Sequence, residues 1–245
     1  MLGLHGLTGS PDELAPLAAA LTASAFVVRT PLLPGHGHDI ATLAKTTRRD
    51  WYAGADAALS SLVAECAGPV AIVGASAGGL LALRLAVSRP RDVRALVLLA
   101  SPLALPWIQA VTIRLALWIP QAIRPASLST IAKPHGPNVS DRAMAAGLHS
   151  LSGYPIQALG DLLDLMAEAR RLLARVTQPV LVVHGDVDAV VSRAQADALA
   201  AGLTNSVRVT RLDLAGPAHL IAIDRDRDRL AQEVIAFLSD RVHGE

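Results

Sequence analysis

Segments with the composition of buried β-strands alternate with segments of helical periodicity along most of this chain, starting at its first residues. The strand-like segments are residues 2–5, 25–30, 69–73, 95–99, 179–184 and 206–212. The helix-like segments are residues 12–21, 50–66, 76–88, 193–202 and 225–241. Such alternation is typical of an α/β protein in which helices cover both faces of a mostly parallel sheet, and we predict this fold class.

One long segment interrupts the alternation. About eighty residues separate the strand that ends at Leu99 from the next, far more than a crossover between neighbouring strands needs. We predict that residues 103–173 comprise a small helical cap and the helix that follows it, and that residues 1–102 and 174–245 form the core domain. Trp107 and Trp118 are expected to line a substrate pocket over the carboxyl edge of the sheet, where α/β proteins bind ligands. The alternative is two ordinary crossover helices.

The composition narrows the choice of function. With 245 residues, of which 52% are hydrophobic and 18% charged, the chain can bury a large core in one domain. A formal net charge of +1, without Lys/Arg clusters beside aromatic residues, argues against nucleic-acid binding.

The single cysteine, Cys66, excludes an internal disulfide. No membrane span is expected, because Pro106, Gln109 and Arg114 interrupt the longest apolar stretch. The apolar run at residues 1–6 is too short for a signal peptide, so the cytoplasm is the expected compartment.

A serine stands where a strand-like segment meets a helix-like one. Ser76 lies between Gly74 and Gly78 in the stretch IVGASAGGL. The two glycines remove Cβ atoms that would collide where a strand turns sharply into a helix, and this is the requirement of a G-x-S-x-G nucleophile elbow. The alternative is a turn with a capping serine, since serine is a favoured N-cap residue.

A serine nucleophile needs a histidine base that a carboxylate orients. On an elbow fold the three follow in the order Ser, acid, His. Of the eight histidines, His219 stands between the last strand and the last helix, where this order requires the base. Asp186 and Asp188 both follow a buried strand, and their spacing does not decide which is the acid.

Two backbone N–H groups are expected to form an oxyanion hole. Ala77, the residue after the nucleophile, supplies one of them from the start of its helix. Leu7, which follows the His-Gly turn in the first loop, is in the best position for the other.

The chain resembles the bacterial carboxylesterase and monoacylglycerol lipase group of the α/β-hydrolase fold. The resemblance covers nearly the whole chain outside the cap and depends on six motifs in order: HGLTGSPDEL, PLLPGHG, RRDWYAGADAAL, VGASAGG, HGDVDAVV and AHLIAIDRDRDRLAQEVIAFL. It implies that Asp188, not Asp186, is the acid, that His219 is the base, and that Leu7 is an oxyanion donor.

The chain departs from this group in two places. Ala218, preceded by Pro217, stands before the base where the group usually has glycine. Members also carry a strand or two ahead of the His-Gly strand, whereas this sequence starts inside that strand. Either the true start lies upstream of Met1, or residues 25–30 form an open apolar edge that a second copy covers, which gives a homodimer.

These residues predict a serine hydrolase that cleaves a small-molecule acyl ester through an acyl-enzyme. Ser76 would attack, His219 would transfer the proton, and Asp188 would orient the imidazole. No metal or organic cofactor is expected. A thioesterase, an amidase or an acyltransferase would use the same three residues, and a ligand-binding relative without turnover is the alternative from another class.

Overall fold

A computed structural model of the protein describes residues 1–120, 123–133 and 136–240. The strands are β1 (Leu2–Leu4), β2 (Val70–Ala75), β3 (Val93–Leu99), β4 (Thr130–Ala132), β5 (Gly153–Pro155), β6 (Val180–Gly185) and β7 (Val209–Leu214). The helices are α1 (Ala15–Ala23), α2 (Ile40–Leu43), α3 (Arg48–Cys66), α4 (Ala77–Ser88), α5 (Trp107–Trp118), α6 (Arg142–Ala146), α7 (Ile156–Leu172), α8 (Arg193–Gly202) and α9 (Arg227–Ser239). The helix predicted over residues 225–241 includes Arg241, which lies outside the described residues.

The main sheet contains five parallel strands in the order β1-β2-β3-β6-β7. Successive residues of its strands face opposite layers of helices. In β3, Leu96 and Leu98 pack in the core that contains buried residues of α3, α4, α7 and α8, whereas Val97 and Leu99 pack in the core that contains α1 and α9. Burying one such side chain stabilises the folded state by about 1.5–3 kcal/mol. The apolar side chains on both faces of the sheet therefore hold the two helical layers against it.

The strand predicted at residues 25–30 is wrong. This segment meets β1 only at one bridge, between Arg29 and Leu2. Arg29 N–H donates to Met1 O at 3.0 Å, and Gly3 N–H donates to Arg29 O at 2.8 Å. The next rung of a parallel ladder needs an N–H group at residue 31, which is a proline, so the pairing stops there. A homodimer through this edge stays a prediction.

The insertion between β3 and β6 contains two kinds of structure. Helix α7 packs on α4 and contributes Leu165 and Met166 to the core of the main sheet. Helix α5 packs on α7 rather than on the sheet, through Ile113 and Ala116. Strands β4 and β5 pair antiparallel as a separate ribbon. The insertion therefore combines a crossover helix with a cap made of α5 and the ribbon, while the predicted domain boundaries stay a prediction.

The described ranges, with their gaps at 121–122 and 134–135, contain no helix long and apolar enough to cross a membrane. Within the same ranges, no group of three or more His, Cys, Asp or Glu side chains is placed to hold a metal ion.

Candidate active site

Ser76 lies at the turn between β2 and α4 in a backbone conformation that serine rarely adopts, with φ 51° and ψ −118°. The turn is tight because a Cβ atom at Gly74 would lie 2.5 Å from Gly78 O, and one at Gly78 would lie 2.1 Å from Leu4 O. The Ser76 N–H donates to Leu99 O at 2.8 Å and ties the turn to β3. A strained residue held by its surroundings in this way is typical of a nucleophile elbow.

His219 lies in the loop after β7, and its Nε2 is 2.9 Å from Ser76 Oγ. Asn138, a residue of the insertion, holds the backbone of this loop in place. The His219 N–H donates to Asn138 Oδ1 at 2.8 Å, and the Leu220 N–H donates to Asn138 O at 3.1 Å. Asn138 was not predicted from the sequence, because it lies 81 residues before the histidine.

Asp188 Oδ2 lies 2.9 Å from His219 Nδ1, and the side chain of Asp188 is 0% exposed. Its Oδ1 accepts the N–H groups of Val190 at 2.7 Å and Val191 at 2.9 Å. Burial alone raises the pKa of Asp188, but the hydrogen bonds from His219 and these N–H groups outweigh it, so the pKa lies below the ordinary value. The Asp186 side chain is 42% exposed and lies 3.6 Å from Arg193. The structure therefore places Asp188, and not Asp186, against the histidine.

A second buried carboxylate fixes the histidine loop. Asp224 is 0% exposed and accepts the Ala218 N–H at 2.7 Å and the Ser140 N–H at 2.8 Å on Oδ2. Its Oδ1 accepts the N–H groups of Asp141 and Arg225 at 3.0 and 2.9 Å. Burial raises the pKa of Asp224, but these four donors outweigh burial and the pKa is lowered. Asp224 thus joins the loop before His219 to the insertion, and the sequence alone did not predict this contact.

The first loop places Leu7 beside Ser76, where both line one cavity. His5 accepts the Leu33 N–H on Nε2 at 3.1 Å, and its Nδ1 therefore carries the proton that it donates to Gly6 O at 2.9 Å. The Gly6 N–H donates to the buried Glu13 carboxyl group at 2.8 Å.

Ala77 is the first residue of α4, where N–H groups have no partner within the helix. The roles of Leu7 and Ala77 as oxyanion donors stay predictions.

The cavity at Ser76 and His219 has a volume of about 480 Å³ and is lined by two chemically different groups of residues, which we call its apolar end and its polar end. Its apolar end consists of residues that precede or belong to α5 and α7: Leu105, Ile113, Leu159, Leu162 and Met166. Its polar end consists of residues from the first loop, the ribbon and the segment before it: Thr8, Glu13, Lys133, Ser150 and Tyr154.

A sequence profile of the family described as "Serine aminopeptidase, S33" matches residues 1–226. The chain belongs to this family. It is 28% identical to a thermostable monoacylglycerol lipase from Bacillus sp. (strain H-257) over 240 residues, which covers 98% of this chain and 90% of the lipase. It is 31% identical over 252 residues to a pimeloyl-[acyl-carrier protein] methyl ester esterase from Aromatoleum aromaticum (strain DSM 19018 / LMG 30748 / EbN1), which covers 95% and 96% of the two chains.

A solved structure of a metagenome-derived lipolytic enzyme superposes on this one with a TM-score of 0.87 at 25% sequence identity, and the match covers 98% of this chain and 92% of that one. The predicted α/β-hydrolase fold, and the resemblance to carboxylesterases and monoacylglycerol lipases, are confirmed. The catalytic roles of the individual residues in this member of the family stay predictions.

The two tryptophans predicted to bind substrate do not line the cavity. Trp107 is 75% exposed and Trp118 is 86% exposed, and both lie on the outer face of α5. The cavity is lined instead by Gln109 and Ile113, which are four residues apart and therefore share the opposite face of the helix. Helix α5 therefore reaches the cavity through Gln109 and Ile113 and not through the two tryptophans, and its effect on substrate choice stays a prediction.

We expect Ile113→Ala to change the acyl preference of the enzyme towards longer chains, because the substitution lengthens the apolar end of the cavity. One methylene in such a pocket is worth about 1–3 kcal/mol, so the ranking of kcat/KM among esters of two to twelve acyl carbons should shift by about tenfold or more. Trp118→Ala is the matched control and should keep the wild-type ranking. A uniform loss on all esters with Ile113→Ala would contradict this prediction.

Protonation of His5 opposes folding. Burial, with a smaller effect of neighbouring His36, lowers the pKa of His5 from 6.5 to about 4. Between these two values the unfolded chain binds the proton and the folded chain does not, so stability falls as the pH falls from 6.5 to 4. The difference is worth about 3 kcal/mol. Urea unfolding of His5→Gln between pH 7 and pH 4 should show a smaller loss than the wild type by about this amount, and equal losses would contradict the prediction.

Proposed function

We propose that the protein is a serine hydrolase that cleaves carboxylic esters through an acyl-enzyme at Ser76. The observation that carries the proposal is the unbroken series of hydrogen bonds from Ser76 through His219 to Asp188, 2.9 Å at each step, at the wall of a cavity. The carboxylesterase and lipase names of the relatives support the same reaction class.

In the first half of the reaction, Ser76 Oγ attacks the ester carbonyl carbon while its proton moves to His219 Nε2. Asp188 accepts a hydrogen bond from His219 Nδ1–H and stabilises the imidazolium that forms. The Leu7 and Ala77 N–H groups donate to the oxyanion. When the tetrahedral intermediate collapses, the alcohol leaves with the proton from His219 Nε2, and the acyl group remains on Ser76.

In the second half, a water molecule takes the place of the alcohol. His219 Nε2 accepts a proton from this water as its oxygen attacks the acyl carbon, and the carboxylic acid leaves when Ser76 Oγ regains its proton. The apolar end of the cavity, between α5 and α7, suits the acyl chain because it removes methylene groups from water. The substrate class that we propose is therefore a small or medium-chain acyl ester, with monoacylglycerols among the candidates.

A panel of p-nitrophenyl esters of two to twelve acyl carbons tests this proposal on the purified protein. Thioesters and anilides of the same acyl groups separate ester hydrolysis from the thioesterase and amidase alternatives. We expect the highest kcat/KM on an ester. Absence of turnover on every ester, by a folded protein, would contradict the proposal and favour a ligand-binding role.

A further inference from the structure

The polar end of the cavity contains a charged group that the proposed mechanism does not use. Lys133 follows β4 and lines the cavity together with Ser76. It is the only lysine or arginine among the described residues that line this cavity. A cation on the wall of a substrate cavity bears on which substrates can bind there.

The Lys133 ammonium group is held by neutral partners. Its Nζ donates to Thr8 Oγ1, and to Ser150 Oγ at 3.2 Å. The same nitrogen lies 4.5 Å from the centre of the Tyr154 ring. These contacts aim the ammonium group but leave its charge without an anionic hydrogen-bond partner.

The nearby acid does not complete an ion pair. Glu13 is buried, and its Oε2 accepts the Gly6 N–H at 2.8 Å. Burial raises the pKa of Glu13, which favours its uncharged form. Burial also lowers the pKa of Lys133, to about 8, and the ammonium form therefore still predominates at pH 7. The polar end accordingly contains an ammonium group that is partly removed from water and whose hydrogen-bond partners, Thr8 and Ser150, are both neutral.

We propose that Lys133 binds an ionised carboxylate of the substrate, so that the enzyme favours esters that carry a second, free carboxyl group. An ammonium–carboxylate hydrogen bond in a partly dry cavity is stronger than the neutral contacts that Lys133 makes now. The inference rests on the proposed ester hydrolysis and adds the chemistry of one substrate group. A neutral polyol, such as the glycerol part of a monoacylglycerol, is the competing occupant.

The carboxylate can belong to the acyl part or to the alcohol part of the ester, and the experiment separates the two sources. Monoethyl adipate carries it on the acyl side, and the hexanoyl ester of glycolic acid carries it on the alcohol side. Ethyl hexanoate is the neutral reference for both, and 1-monohexanoylglycerol represents the polyol. The kcat/KM of each ester is divided by that of ethyl hexanoate for the wild type and for each variant.

We expect Lys133→Met to lower this ratio for at least one of the two carboxylate esters by about ten- to hundredfold, mostly through a higher KM. A loss of about this size is expected when one hydrogen bond to a charged group is removed. Lys133→Arg keeps the charge and should recover most of the ratio. Lys45→Met, at the other, exposed lysine of the chain, is the matched control and should leave the ratio unchanged.

Several results would overturn the inference. A fall of Lys133→Met activity that is equal on all esters would show that Lys133 only fixes the loop of Thr8. A ratio that falls for 1-monohexanoylglycerol alone would assign Lys133 to a polyol. Should Lys133→Met not fold, the wild type still decides, because turnover of ethyl hexanoate with no turnover of either carboxylate ester contradicts the inference. If the wild type hydrolyses none of the esters, the proposed function itself has failed.

Discussion

Ser76→Ala should lower kcat for ester hydrolysis by about a millionfold, the loss that follows removal of the serine from a catalytic triad. No covalent acyl-enzyme can form without the hydroxyl group that lies 2.9 Å from His219 Nε2. The residual rate would come from the oxyanion donors and from binding alone. The same substitution should abolish labelling by a fluorophosphonate, which reacts with an activated serine. Steady-state kinetics and mass spectrometry of the labelled protein measure the two effects.

Ser101→Ala is the matched control for this substitution. Ser101 is buried and follows β3, the strand beside the elbow, but it has no hydrogen bond to the histidine. The Ser101→Ala protein should react once with the fluorophosphonate, at Ser76, as the wild type does. Labelling that persists in Ser76→Ala, or modification of a different serine, would show that the nucleophile has been misassigned.

The sequence predicted the elbow correctly because its requirements are local. Gly74 and Gly78 leave out Cβ atoms that would overlap the backbone, and both lie within two residues of Ser76. The position of His219 followed from the order of the elements along the chain, which is also a one-dimensional property. The fold class was predictable for the same reason, since the alternation of strands and helices is visible in the composition of successive segments.

Features that depend on three-dimensional packing were not predictable. Composition shows that α5 is apolar, but it does not show which face of α5 meets the cavity. Trp107 and Trp118, which were predicted to line the cavity, lie on the outer face of the helix. Asn138 and Asp224 act on the histidine loop across contacts that join segments 81 to 84 residues apart. Residues 25–30 have strand composition, yet the proline at position 31 and the short β1 limit their pairing to one bridge.

The choice between the two aspartates is the part of the site that the sequence left to resemblance, and it leads to the second large expected effect. Asp188→Asn should lower kcat by about 10⁴-fold, whereas Asp186→Asn should keep activity within a few fold of the wild type. The difference does not depend on unfolding, because both substitutions preserve the size of the side chain. Ester kinetics, with thermal unfolding as the check on folding, compares the two variants directly.

The reason for the loss lies in the second oxygen of Asp188. Oδ1 accepts the N–H groups of Val190 and Val191, so an asparagine would keep its carbonyl oxygen there and turn its NH₂ group towards His219. An NH₂ donor facing Nδ1 requires Nδ1 to be unprotonated, which places the imidazole proton on Nε2. In that tautomer Nε2 cannot accept the proton of Ser76, and the base is lost although every atom of the triad remains in place. Asp186→Asn changes only an exposed side chain near Arg193. A larger loss in Asp186→Asn than in Asp188→Asn would therefore show that the carboxylate against His219 in this structure is not the one that orients it during catalysis.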